Sequence, residues 1–221
     1  MIIYHGSHEI IETPLLEKGK IYNDYGQGFY CTEHLELAKE WACREDKPAF
    51  VSEYELHLEG LRVLDLSQEA YSALQWLAIL LDNRIVRMSA PVHRLGLEWL
   101  KNHYLLDISA YDVIIGYRAD DSYFRFVRTF MDNTISLEQL ERAMRLGDWG
   151  KQIVLKSKRA FEQITYKGKH YVDNKVYYSK RIDRDESASE KFLSMIEEMD
   201  LNGRFLRDLM RAGGDANDNS L

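Results

Sequence analysis

Two short segments near the N-terminus pair a polar ring with glycine: Tyr4-His5-Gly6-Ser7, and Tyr25-Gly26-Gln27-Gly28-Phe29-Tyr30-Cys31-Thr32. A histidine accepts or donates a hydrogen bond near neutral pH, and a neighbouring glycine lets a ligand approach bare backbone. In the second segment an aromatic ring follows a glycine pair, just ahead of an amphipathic stretch. Such a combination of hydrogen bonds, open backbone and a stacking face suits a flat, polar, ribose-bearing ligand. Taken singly, each piece has an ordinary explanation. His5 alone reads as a hydrogen-bonded strand histidine. Gly26-Gln27-Gly28 precedes a strand and lacks the third glycine of a dinucleotide fingerprint, so alone it reads as a turn or bulge.

The elements that must position these residues follow from periodicity. Ile2 to Ser7 is a first strand with His5 on one face and Tyr4 on the other. Phe29 to Thr32 is a second, with Tyr30 and Thr32 sharing a face. Glu33 to Arg44 is helical, with Leu37, Ala38 and Trp41 on one stripe and Thr32 as its N-cap. Strands follow at Phe50 to Leu58 and Arg62 to Leu66, and Ser67 opens a helix to about Leu81. Pro91 opens another, to Tyr104. Tyr111 to Tyr117 is a buried strand, followed by helices over Ser122 to Met131 and Leu137 to Leu146, the latter capped by Ser136. Lys151 to Lys156 is a strand, Lys158 to Glu162 a short helix, and Ile164 to Val172 a hairpin turning at Gly168. Ser187-Ala188-Ser189-Glu190 has the form of a capping box ahead of Phe192, Met195, Ile196 and Met199. Strands scattered among helices, without regular βαβ alternation, give an α+β class. The expected organisation is a domain over 1–181, C-terminal helices over 182–212 that dock or bind a partner, and a disordered tail over 213–221.

Length and composition limit the function classes. A chain of 221 residues, 45% hydrophobic and 12% aromatic, holds one well-cored domain. Cys31 and Cys43 have no metal-ligand spacing, no metal site is expected, and so few thiols suit a reducing compartment. The start lacks a secretory pattern and the longest apolar run is too short to span a bilayer, so a soluble, cytoplasmic protein is expected. A net charge of −7 hides an asymmetry: Lys151 to Arg181 holds nine Lys or Arg against Glu162 and Asp173. That stretch, interleaved with tyrosines, faces phosphate or nucleic acid, or else is a half-exposed edge guarded by lysines. Both readings stay open.

His5-Gly6 on the first strand, Gly28-Phe29-Tyr30-Cys31-Thr32 on the second, and a helix bearing Ala38 and Trp41 together resemble the NAD-binding half of ADP-ribosyltransferases. More narrowly, the chain resembles a bacterial family of this type, domain of unknown function 3990. The likeness continues through Tyr111-Asp112-Val113-Ile114-Ile115-Gly116 and Lys151-Gln152-Ile153-Val154, covering Ile2 to about Phe161. It implies a split β-sheet core around an NAD cleft, with helical insertions, and NAD+ as substrate. It implies that His5 bonds a ribose hydroxyl of the adenosine, that Gly6 grips the nicotinamide carboxamide through its backbone, that Ser7 is among the residues binding the dinucleotide, and that Tyr30 stacks on the nicotinamide. Gly28 and Thr32 would line the cleft.

In that superfamily's His-Tyr-Glu branch a glutamate supports the cationic state as nicotinamide leaves. Gln152 stands at the matching strand, with the hydrogen bond but not the charge. Asp120 and Asp121 are the candidates for a replacement carboxylate, with Asp148 a weaker one. As an alternative, the two aspartates serve as acidic residues at a helix N-terminus. Trp149, in the loop before Gln152, contacts an acceptor or packs on its own helix. The expected activity is transfer of ADP-ribose to a macromolecular acceptor, protein or nucleic acid, in the setting of a toxin held by a small antitoxin. An NAD glycohydrolase and a non-catalytic NAD or ADP-ribose binding module are the rivals.

Overall fold

The computed structural model describes residues 1–44, 47–86, 90–119, 121–145 and 151–213, with backbone alone for residues 121–123 and 145. In chain order these form β1 (Ile2–Ser7), β2 (Phe29–Thr32), α1 (Leu35–Ala42), β3 (Ala49–Leu56), β4 (Val63–Asp65), α2 (Ala73–Asn83) and α3 (Pro91–Tyr104). Then come β5 (Val113–Tyr117), α4 (Asp121–Met131), α5 (Leu137–Arg145), β6 (Lys151–Leu155), α6 (Lys158–Glu162), β7 (Ile164–Val172), α7 (Asn174–Glu197) and α8 (Leu206–Arg211). The α+β class holds. The strands make one mixed sheet in the order β4-β5-β6-β2-β1-β3-β7, with β4 parallel to β5 and the other pairs antiparallel.

Alternation along each strand separates two apolar cores. On one face Ile114 and Val154 meet the helices, above all α2, whose Leu74, Trp76, Leu77, Ile79 and Leu80 are all buried. A helix apolar around its whole circumference belongs inside. On the other face Ile3, Phe29, Cys31, Tyr54, Leu56 and Ile153 form a second core closed by Ala160 and Phe161 of α6. Each large side chain removed from water contributes about 1.5–3 kcal/mol.

The sheet parts in its middle. β1 pairs with β3 from Ile2↔Glu55 to Ser7↔Phe50, and β2 pairs with β6 from Phe29↔Leu155 to Thr32↔Gln152. Between β1 and β2 a single pair, Tyr4↔Thr32, is in register among the described residues. No further pair between the two strands is registered among the described residues. Helix α1 seats on β1 at this place: a Cβ at Gly6 would run into the Ala38 carbonyl and come within 2.8 Å of the Ala42 nitrogen. Only glycine admits that approach.

Several expected boundaries need correction. His34, not Thr32, is the N-cap of α1, and Thr32 Oγ1 accepts from the His34 N–H at 3.2 Å in a local turn. Ser72, not Ser67, caps α2, with a reciprocal capping box to Gln75. Ile164 to Val172 is one strand, not a hairpin; its register against β3 shifts between Glu53 and Tyr54, opposite Gly168. The Ser187 capping box lies inside α7, whose actual cap is Asp173. That helix also runs through the expected 181/182 domain boundary. It docks on both halves of the molecule: Arg184 pairs with Glu40 of α1 at 2.5 Å, and Phe192 packs edge-on to Phe126 of α4. β7 is one edge of the sheet, and Lys167 pairs with Glu55 there. Ser136 caps α5 as expected, accepting from the Gln139 N–H at 3.1 Å. Gly213, at φ 81°, follows the end of α8; the rest of the expected disordered tail lies outside the described residues.

Candidate functional site

His5 sits where β1 leaves β2. Its Nδ1 lies 2.7 Å from the Tyr30 carbonyl oxygen, and its ring stacks on Phe29 with centroids 4.3 Å apart. A carbonyl only accepts, so Nδ1 carries the proton and Nε2 keeps a lone pair. Burial pushes the imidazole pKa down, against the opposing pull of that hydrogen bond, and favours the neutral ring. The ring borders a crevice of about 630 Å³ whose other walls include Glu9, Glu12, Lys18, Lys20 and Phe29. A neutral acceptor on such a wall suits a hydroxyl group. The Ser7 hydroxyl donates to the Glu9 carbonyl at the mouth, and Gly28 is buried at the rim.

Registered partners share a sheet face, so Tyr4, Thr32, Gln152 and Gly116 lie in one row. Tyr30 is two residues from Thr32, on that same face, which is the helix side. His5 lies on the other, with Phe29 and Cys31. Tyr30, Thr32 and Gln152 are therefore brought together on one face, and His5 meets them only through the Tyr30 backbone.

Gln152 is 3% exposed, and its amide donates to Asp24 Oδ2 at 2.6 Å and to the Tyr117 carbonyl at 3.2 Å. Both amide hydrogens are thus engaged inside the protein. Thr32 is fully buried. The Tyr30 hydroxyl donates to the Gly26 carbonyl at 2.6 Å and accepts from the Tyr25 N–H at 3.0 Å. Burial raises its phenol pKa, so the neutral form is strongly favoured. Gly26, at φ 73°, supplies the left-handed turn.

A carboxylate does reach Gln152, and it is Asp24. It lies 128 positions away along the chain and is 2% exposed. Its Oδ2 also accepts from the Ala119 N–H at 2.9 Å, and Arg84 Nη2 lies 2.6 Å from Oδ1. Burial raises the Asp24 pKa, and Arg84, Ala119 and Gln152 pull it back. The ion-pair distance at Oδ1 is short but its alignment is not that of a hydrogen bond. Asn23-Asp24 reads in the sequence as loop polarity, and Arg84 as the end of an apolar helix. Neither carries a periodic signal. Asp120, Asp148 and Trp149 lie outside the described residues, as does the side chain of Asp121.

On α1, the turn that rests on Gly6 carries Trp41. The Arg118 guanidinium lies over its ring at 4.6 Å, and its indole N–H is buried with no hydrogen-bond partner among the described residues. Among the described residues no group of three or more His, Cys, Asp or Glu is arranged to hold a metal. No helix among them is long and apolar enough to cross a membrane.

No curated protein and no solved structure matches the chain. A family model described as "Protein of unknown function (DUF3990)" matches residues 1–166, from the first strand into β7. That span holds β1, β2, β6 and the whole polar cluster around the gap, and the chain belongs to the DUF3990 family.

Proposed function

We propose that the protein binds NAD+ across the gap between β1 and β2 and transfers its ADP-ribose to a macromolecular acceptor, releasing nicotinamide. The observation that carries this reading is the parting of the strands straight after Tyr4↔Thr32, with His5 bridging to the Tyr30 carbonyl at 2.7 Å. Where a ladder stops, strand backbone becomes available to a ligand. A dinucleotide lying through the gap meets His5 Nε2 on one side, where it accepts from a ribose hydroxyl. On the other it meets Tyr30. In the reaction the bond from the ribose C1′ to the nicotinamide nitrogen breaks, and its electron pair leaves with neutral nicotinamide. The acceptor forms the new bond at C1′ and gives up a proton. The developing oxocarbenium charge calls for a nearby negative group.

One observation favours a second reading, a module that binds NAD+ or ADP-ribose without turnover. Gln152 carries no charge and its amide is held by Asp24 and Tyr117. Incubating the protein with labelled NAD+ and cell lysate tests the first reading: a protein or nucleic acid becomes labelled as nicotinamide appears. Binding by calorimetry without nicotinamide release selects the second. Absence of both binding and release rejects the NAD+ site altogether.

A further inference from the structure

Asp24 is the point at which four separate parts of the chain meet. Gln152 from β6 and the Ala119 N–H beyond β5 both donate to Oδ2, at 2.6 and 2.9 Å. Arg84, just past α2, lies 2.6 Å from Oδ1 and also donates to the Ala119 carbonyl at 2.6 Å. The fourth part is the loop that Asp24 itself belongs to. Its next two residues bracket the Tyr30 hydroxyl, which accepts from the Tyr25 N–H and donates to the Gly26 carbonyl. Further bonds hold Tyr25 in the same place: its hydroxyl donates to the Tyr117 carbonyl at 2.8 Å, and Lys156 donates to its own carbonyl.

We propose that Asp24 is a positioning residue for the Tyr30 ring, and that Gln152 acts through Asp24 instead of on a ligand. The role of that ring in catalysis rests on the NAD+ reading above; the mechanical link from Asp24 to Tyr30 does not. A carboxylate this deeply buried is an inefficient source of stability, since an apolar replacement of similar volume often serves as well. A single acceptor group that fixes a loop to two strands and a helix end does what an apolar residue cannot. It sets the turn at one position, and the turn sets the hydroxyl end of the phenol. The ring is thereby held from its far end, leaving its flat face free of that duty.

The experiment uses the full chain and two readouts. Amide hydrogen exchange at Tyr25, whose N–H reports the bond to Tyr30, is compared with exchange at Val51 inside the sheet. In Asp24→Asn, the Tyr25 rate relative to Val51 should rise roughly tenfold or more. Asp112→Asn is the control: it disturbs a different buried carboxylate, bonded to Arg62 and Ser157, and should leave that ratio unchanged. The second readout is nicotinamide release, where Asp24→Asn should raise KM by more than it lowers kcat, because ring stacking is already made in the ground state. If Asp24→Asn does not fold, Gln152→Ala takes its place in the exchange comparison with the same expected rise. An unchanged Tyr25 ratio, or an equal rise in Asp112→Asn, overturns the proposal. If the wild type neither binds NAD+ nor releases nicotinamide, the functional reading fails, while Tyr25 exchange still decides whether Asp24 positions Tyr30.

Discussion

On one side of the gap between β1 and β2, His5 keeps one ring nitrogen unengaged on the wall of an open crevice. On the other side, Gln152 has both amide hydrogens bonded within the protein and is almost wholly buried. Both are polar side chains on central strands, so residue type does not account for the difference. What covers them does. The loop after β1 runs alongside His5 and leaves space, whereas Tyr25, Trp76 and Asp24 close over the row that holds Gln152. Tyr25 and Trp76 both donate to the Tyr117 carbonyl that Gln152 also contacts. The difference is between a polar group left open on a crevice wall and one satisfied inside the protein.

The largest expected effect breaks the closed side. Gln152→Glu sets a second carboxylate against Asp24, and a buried charge without its partner is destabilising by about 3–5 kcal/mol. The pair's folded pKa is then raised above its unfolded value, so stability is retained at low pH and lost as pH rises through the raised value. Urea midpoints at pH 5 and pH 8 should differ widely for this variant; identical midpoints would contradict the geometry at Asp24.

Next in size is a change on the open side. Gly6→Ala forces a methyl group against the backbone of α1, at a cost of about 1–3 kcal/mol for overpacking. Thermal unfolding measures it, and a melting temperature equal to that of the wild type would show that α1 does not press on β1 there. Tyr30→Phe probes the link between the sides. It strands the Tyr25 N–H and removes the donor to Gly26, costing about 1–3 kcal/mol. If the crevice is indifferent to that link, His5 NMR shifts stay as in the wild type; the expectation is that they move.

The smallest effect concerns His5 alone. Its folded pKa lies below the ordinary value of 6.5. The unfolded chain therefore takes up this proton first, so the contribution is complete above that value and is lost as pH falls through it toward the folded pKa. Wild type should lose more stability than His5→Gln between pH 7.5 and pH 5.5, measured by chemical denaturation. Equal losses would place the His5 ring in water.

Local patterning made most elements legible. The alternation of β1, β2 and β3 and the run of α3 from Pro91 to Tyr104 stand where periodicity puts them. Helix starts were less legible. Thr32, Ser67 and Ser187 each have the chemistry of a cap, and His34, Ser72 and Asp173 hold the position instead. A cap is chosen by where the preceding chain turns, which depends on the strand or loop it leaves. The β7 hairpin failed for a similar reason: Gly168 suits a turn, but pairing along β3 offered eight of the nine residues a partner, and the glycine sits opposite a register shift.

For the site, local patterning was enough to put His5, Gly6, Tyr30 and Gln152 on strands and to allow a left-handed turn at Gly26. Those are consequences of side-chain period and backbone freedom, and both act over a few residues. Tertiary structure alone decided that β1 leaves β2 after one registered pair, that His5 faces away from Gln152, and that Asp24 is the carboxylate Gln152 meets. Strand pairing and burial join residues 128 positions apart. No local preference encodes such a meeting, because its stability comes from several distant groups being satisfied together.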